Sequence, residues 1–498
     1  MPRRRRVVIV GAGAAGCVVA GSLVADGRFD VTLVEAGPDR DTTDRSQAVN
    51  SADLFVAATS IRHVVDAPVI RANSHGSTGS GRDGTVQYYR RGVGIGGSGA
   101  INGLVLHRGT PATFDRWGAT AGCSGWDSAA LWPIVTRRFQ RGRVVPPLEW
   151  GIVDRIVAGR APTPSDVRLA VDEQGLRACS ASTDLYPVRT SPRLTVRSDL
   201  AVVAVAMDQG SDRSAAIGVH LHDGSTMPAD FVILSAGALG SPALLHQSGI
   251  DRPGIGRGLH DHHGVSVNVA LPADDAERAP WVTGVACSFE GTSSMTQLLA
   301  LNRSDANAPA ELGRRNGAIF AGVADLRTRG HLEFTARSTA TRSARHSARS
   351  TTIGSTTIGS TTIATHSTSG EPVAASLPTL HFDLPHPHDR ARLRDAALLL
   401  RSFLFNAELS ALSPNDHEGL DRWVDANRAE YLHAAGTCVM GGPNDDDAVV
   451  NNACQVIGTS GLYVVDASIF PTSLSPNPYL ATIAMAELAA DRIASFEG

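Results

Sequence analysis

The chain has 498 residues, 42% of them hydrophobic and 19% charged, with a formal charge of −4. That length is too great for one hydrophobic core, so two large units are expected. The small net charge gives no reason to expect a nucleic-acid partner, and no run of about eighteen apolar residues is present to form an integral membrane segment.

No lysine occurs, so arginine carries all the fixed positive charge; this bias points to a GC-rich bacterial genome rather than to function. Six cysteines lie scattered without metal-ligand spacing and read as reduced thiols of a cytoplasmic protein. Arg3 to Arg6 look like the start of an export signal, but the apolar residues after them make only a short strand leading into a glycine turn.

Val7 to Val10 form a β-branched run suited to a strand buried on both faces. Gly11, Gly13 and Gly16 follow with dinucleotide-fingerprint spacing: the first permits the tight turn, the second lets backbone approach a pyrophosphate, and the third allows close helix–strand packing. A helix from Ala14 to about Ala25 would offer its N-terminus, with Ala14 and Ala15, to phosphate charge. Glu35 ends a second apolar strand nineteen residues after Gly16, where a carboxylate can accept from ribose hydroxyls. Further on, Gly94, Gly96, Gly97 and Gly99 remove side-chain bulk, so backbone there can pass close to a flat ring or a diphosphate. The fingerprint alone does not separate NAD from FAD.

In the middle, Thr351-Thr352-Ile353-Gly354-Ser355 recurs as Thr356 to Ser360 and begins again at Thr361. The surrounding low-complexity tract, 337–370, has too few units for a solenoid; a mobile loop and β-like ribbons both remain open. His381, His386 and His388, with Asp383 and Asp389 nearby, are expected as a polar edge over a substrate cavity rather than a metal site.

Three segments together resemble one known family. Gly92 to Gly103, with His107-Arg108-Gly109 and Phe114 to Trp117, is similar to the first signature of the glucose–methanol–choline (GMC) oxidoreductases. Ser235 to Leu245 resembles the second, and Gly256 to His262 the "G-x-x-L-x-D-H" stretch that follows it. His433 to Cys438, Val465 to Ser468 and Ser475 to Pro478 resemble the catalytic region. The short length and arginine-only composition further resemble short actinobacterial, mycofactocin-associated members, which are tied to reoxidising a peptide-derived redox cofactor.

The resemblance implies an α/β fold: a Rossmann-like FAD-binding domain and a second α+β substrate domain built on an antiparallel sheet. The cofactor domain is expected from 1–145, 190–265 and 425–498, the substrate domain from 266–424, with 146–189 a shortened lid or linker. FAD would be held by Gly11, Gly13, Ala14, Ala15, Gly16, Glu35 and Ala36 at the fingerprint, and by Gly94, Gly97, Ser98, Asn102 and Gly103 in the glycine loop. Val202 would meet the adenine; Ala236, Asp466, Ala467 and Pro478 complete the implied contacts. Ile101 stands where some members carry a histidine bonded covalently to flavin, so non-covalent FAD is expected. The Asp261-His262-His263 run is implied to be a structural turn, and no metal is expected.

Oxidising an alcohol needs its hydroxyl proton removed as the carbon gives up hydride, a task suited to histidine. The resemblance places that base at His433 and its partner at Asn477, with Tyr479 as the alternative and helix capping as the plain reading of Asn477. The expected partners are a small-molecule alcohol, primary or secondary, and an electron acceptor: oxygen, a quinone or a redox carrier. A cyanohydrin lyase on the same fold is the rival; a non-catalytic nucleotide-binding protein is a third reading.

Overall fold

The computed structural model describes residues 3–41, 43–44, 46–72, 78–79, 87–160, 164–165, 168–208, 214–271, 281–290, 295–302, 316–324, 326–336, 365–366, 372–373, 377–382, 385–403, 406–474 and 477–498. Asp383 and most of the 337–370 tract lie outside the described residues.

The β-branched run becomes strand β1 (Arg5–Val10) at the centre of a five-stranded sheet. Its neighbours are β2 (Phe29–Val34) and, from far along the chain, β4 (Phe231–Leu234); β3 (Leu194–Arg197) and β5 (Leu462–Val464) complete the order β3-β2-β1-β4-β5, parallel throughout. Val7, Val8, Ile9 and Val10 are all buried, as a strand covered on both faces requires. Helix α1 (Ala14–Asp26) follows the glycine turn and ends at Gly27, whose φ of 89° is the left-handed stop glycine favours. Gly21 lets this helix lie against residue 184: a Cβ there would sit 2.5 Å from the Asp184 carbonyl oxygen. Arg3 and Arg6, at the start of the chain, both reach Asp230 just before β4.

A second, antiparallel sheet runs in the order 428–430, 263–270, 316–323, 295–301, 286–290, 164–165. Val265, Leu298, Ile319 and Val323 pack with Leu393, Ala397, Leu420 and Trp423 from helices Pro387–Arg401 and His417–Asn427 in a separate core. The short helix Ile152–Ala158 joins the same core through Val153 and Val157. A third sheet sets the parallel pair Val64–Ala72 and Thr379–Phe382 beside Gln87–Gly92, Gly330–Glu333 and Arg257–Leu259. Tyr89, Leu259 and Ala434 are buried together in its small core. The fold is therefore a Rossmann-like domain with an α+β partner built on an antiparallel sheet. All six cysteines are free and buried.

Acid should weaken this fold. Burial lowers the pKa of His63 and His107 to about 4 and of His260 to about 3, and holds His433 well below the ordinary range. The unfolded chain takes up these protons near pH 6.5 while the fold refuses them, so stability is lost as pH falls from about 6.5 toward 4. Each imidazole contributes a slope of up to about 1.4 kcal/mol per pH unit. Burial raises Asp261 to about 7 and lifts Asp154, Asp466 and Asp491 above the usual carboxylate value, and these groups act in the opposite sense. Thermal melts at pH 7 and pH 5 should show the lower midpoint at pH 5.

Candidate active site

The fingerprint turn, the glycine loop and the C-terminal segments meet around one cavity of about 1300 Å³. Gly11 has a φ of 98° and packs on β4's end; a Cβ there would lie 2.6 Å from the Ser235 carbonyl oxygen. Gly13 caps α1 without any side-chain bond, and a Cβ on it would meet nothing nearer than that carbonyl at 4.0 Å. The first turn of α1 therefore faces the cavity at Ala14 and Ala15 with no side chain in the way. The glycine loop docks on it: Gly96 N–H donates to the Ala12 carbonyl at 2.7 Å, and a Cβ on Gly97 would sit 2.8 Å from the Gly13 Cα.

Of the expected cofactor contacts, Gly11, Gly13, Ala14, Ala15, Glu35, Ala36, Gly97, Ser98, Asn102, Gly103, Val202, Ala236, Asp466, Ala467 and Pro478 line the cavity. Gly16 and Gly94 do not, because both are spent on packing. A Cβ on Gly16 would fall 1.9 Å from the Gly11 carbonyl oxygen, and one on Gly94 would fall 2.6 Å from that of Pro38. Glu35 also differs from the simple expectation. Its carboxylate already accepts from the backbone N–H groups of Ala12 at 2.7 Å, Gly37 at 3.0 Å and Gly94 at 2.9 Å, tying the fingerprint to the glycine loop. A carboxylate has about four lone-pair sites, so capacity for a ribose hydroxyl remains. Asp466 is equally engaged, accepting from Gly237 N–H, Ser468 N–H and the Ser241 hydroxyl. This narrow, glycine-walled cradle over an uncapped helix N-terminus fits a dinucleotide.

At the other end of the cavity His433 is half-buried and lines the wall. Its position is fixed on several sides. Its backbone N–H donates to Asp261 Oδ1 at 2.9 Å, and the next amide, of Ala434, donates to Tyr89 Oη at 2.8 Å. Tyr89 in turn donates to Asp261 Oδ2 at 2.6 Å. The Tyr431 ring stacks on the imidazole with centroids 5.0 Å apart. Arg91 donates to the Leu432 carbonyl at 2.9 Å, and Leu432 itself has a φ of 64°, a costly backbone for a branched residue. Burial, then His262 and Arg91, hold the His433 pKa well below the usual histidine range, so the ring is neutral at pH 7.

Asn477 occupies the N-cap of the last helix, Pro478–Glu497, and lines the cavity, but its side chain makes no capping bond. Its Nδ2 lies 3.5 Å from the Val105 carbonyl oxygen. Tyr479 also lines the cavity, and its hydroxyl oxygen accepts from the Ser180 N–H at 2.9 Å.

Two sequence expectations need correction. His381, His386, His388 and Asp389 do not edge the cavity: His386 Nδ1 accepts from the His388 N–H to start a helix, Asp389 accepts from Arg327 and Thr328, and His381 pairs with Glu333. Among the described residues no group of three or more His, Cys, Asp or Glu could hold a metal ion. Nor is Asp261 to His263 only a turn, since Asp261 and His262 both contact His433. Tyr89 and Arg91 went unnoticed in the sequence; the only local signal was their strand's approach to the glycine loop.

Comparison with known proteins agrees with this fold. Family models described as GMC oxidoreductase match residues 6–148 and 148–264 with the N-terminal part and 362–486 with the C-terminal part. An oxygen-dependent choline dehydrogenase from Photobacterium profundum is 27% identical, over 98% of this chain and 92% of its own. A 5-(hydroxymethyl)furfural oxidase from Methylovorus sp. is also 27% identical, over 98% of both chains. The crystal structure of pyridoxine 4-oxidase from Mesorbium loti has a TM-score of 0.74 at 23% identity, covering 98% of this chain and 99% of that one. The fold and site thus define an FAD-dependent oxidoreductase acting on CH–OH groups. The chain belongs to the GMC oxidoreductase family.

Proposed function

We propose that this enzyme oxidises a primary or secondary alcohol to a carbonyl, with His433 taking the hydroxyl proton and Asn477 hydrogen-bonding the substrate oxygen. The observation that carries the reading is the placement of a neutral, half-buried imidazole on the wall of the cavity that Gly11 and Gly13 also line. FAD, when bound, accepts the hydride. Relatives named for choline and 5-(hydroxymethyl)furfural support an alcohol substrate. Non-covalent FAD is supported by Ile101, which lines the cavity and has no atom to bond to flavin. The core around β1 to β5 and the core of the 263–323 sheet support a cofactor unit from 1–145, 190–265 and 425–498 and a substrate unit from 266–424, with the third sheet drawing strands from both. The six buried free cysteines are in keeping with a reducing cytoplasm.

The test is a panel of primary and secondary alcohols added anaerobically to the yellow protein, then repeated with a dye acceptor and with oxygen. Bleaching by at least one alcohol, with carbonyl product, is expected; cyanide release from a cyanohydrin with the flavin still oxidised would overturn the reading in favour of a lyase. Acid precipitation should leave the yellow colour in the supernatant. N477A should lower kcat about 10²-fold, as loss of one oxygen-stabilising donor does, while Y479F should change it less than about tenfold.

A further inference from the structure

We propose that His262 is a positioning residue that fixes the tautomer of His433 and leaves His433 Nε2 as its unprotonated nitrogen. The inference rests on the reading of His433 as the base and adds which of its two nitrogens acts.

The backbone makes the meeting possible. His260 and Ala435 exchange both amide bonds, His260 N–H to the Ala435 carbonyl at 3.1 Å and Ala435 N–H to the His260 carbonyl at 3.0 Å. In an antiparallel pair that register, carried two residues on, sets 262 against 433. The two rings stand edge to face, with centroids 5.0 Å apart and planes at 89°.

Proton counting then assigns the nitrogens. His262 Nε2 lies 2.7 Å from the Leu474 carbonyl oxygen, which can only accept, so Nε2 carries a proton. A neutral imidazole has one N–H, so His262 Nδ1 presents a lone pair. His433 Nδ1 is 2.9 Å from that lone pair and must donate to it. A neutral His433 that spends its one proton on Nδ1 has a bare Nε2. The reverse order needs both nitrogens of His262 protonated, an imidazolium at 6% exposure, which burial disfavours.

The arrangement suits the reaction. When an alcohol O–H bond breaks, the proton goes to His433 Nε2 as the C–H pair leaves as hydride and the C=O bond forms. His433 Nδ1–H stays in place and continues to donate to His262, so no other proton has to move. Had Nδ1 carried the lone pair, the base would point at a neighbouring histidine.

The test uses FAD-bound protein labelled with ¹⁵N-histidine, read at neutral pH by long-range ¹H–¹⁵N correlation, with the H433N variant identifying the His433 signals. The wild type should show a protonated Nδ1 and a bare, pyridine-type Nε2 on His433. H262Q should keep this pattern, because its amide accepts from His433 and donates to Leu474. H262L should lose it and slow alcohol-dependent bleaching about 10²-fold with KM little changed, since a base in the wrong tautomer is inactive. A protonated Nε2 on His433 in the wild type overturns the proposal, as does an H262L spectrum with His433 unchanged. The nitrogen shifts need no substrate, so a protein with the expected tautomer that no alcohol bleaches would sink the proposed reaction alone.

Discussion

Replacing His433 with alanine is expected to leave a folded, yellow protein whose flavin is reduced by its alcohol about 10³-fold more slowly. The cavity wall loses a ring, but the backbone bonds that hold this segment, to Asp261 and from Ala434 to Tyr89, involve no atom of the imidazole. Flavin content and melting temperature should therefore stay near wild type while kcat collapses. H433N, which restores a hydrogen-bonding group but no base, should recover little. A variant that oxidises alcohol at more than a tenth of the wild-type rate would remove this residue from the chemistry.

The second large effect separates two glycines of the fingerprint that are three residues apart. G16A places a methyl 1.9 Å from the Gly11 carbonyl oxygen, a backbone atom that cannot move without opening the turn. Overpacking of that kind costs about 3 kcal/mol or more, so the variant should be recovered colourless and with a lowered melting temperature, or not in soluble form. G13A adds the same methyl where the nearest atom is 4.0 Å away. Its apoprotein should melt like the wild-type apoprotein, and only the affinity for FAD should fall. Flavin absorbance per protein and the apoprotein melt together decide the matter; equal losses in both variants would mean that Gly13 supports the fold as well.

That contrast also explains how much could be read from residues alone. The nucleotide end was legible because its requirements are local: a buried strand, a turn that tolerates Gly11's backbone, and a helix beginning at Ala14 fall within a few residues of one another. His433 and Asn477 were legible through motif likeness, and the cavity brings them together. What failed to show was anything depending on pairing across the chain. The parallel match of Val64–Ala72 with Thr379–Phe382 joins segments some three hundred residues apart, and no pattern in either announces the other. The contact of His262 with His433 follows from such a pairing too, so its histidine looked like part of a turn. Around His386, Pro and His spacing imitated a ligand cluster, whereas the residues serve a helix start and a loop anchored by Asp389.

The order of the nucleotide sheet has a bearing on how this protein is made. β4 sits between β1 and β5, and β5 is encoded by residues 462–464, close to the end of the sequence given. The helix that packs against α1 comes later still, and Arg5 bonds to the Glu497 carbonyl. During translation β4 thus emerges about 230 residues before the strand that covers its open side. An uncovered apolar strand edge invites association with other chains, so nascent polypeptides of this enzyme should depend on chaperones until residues 462–464 have emerged, and flavin capture should follow that pairing rather than precede it.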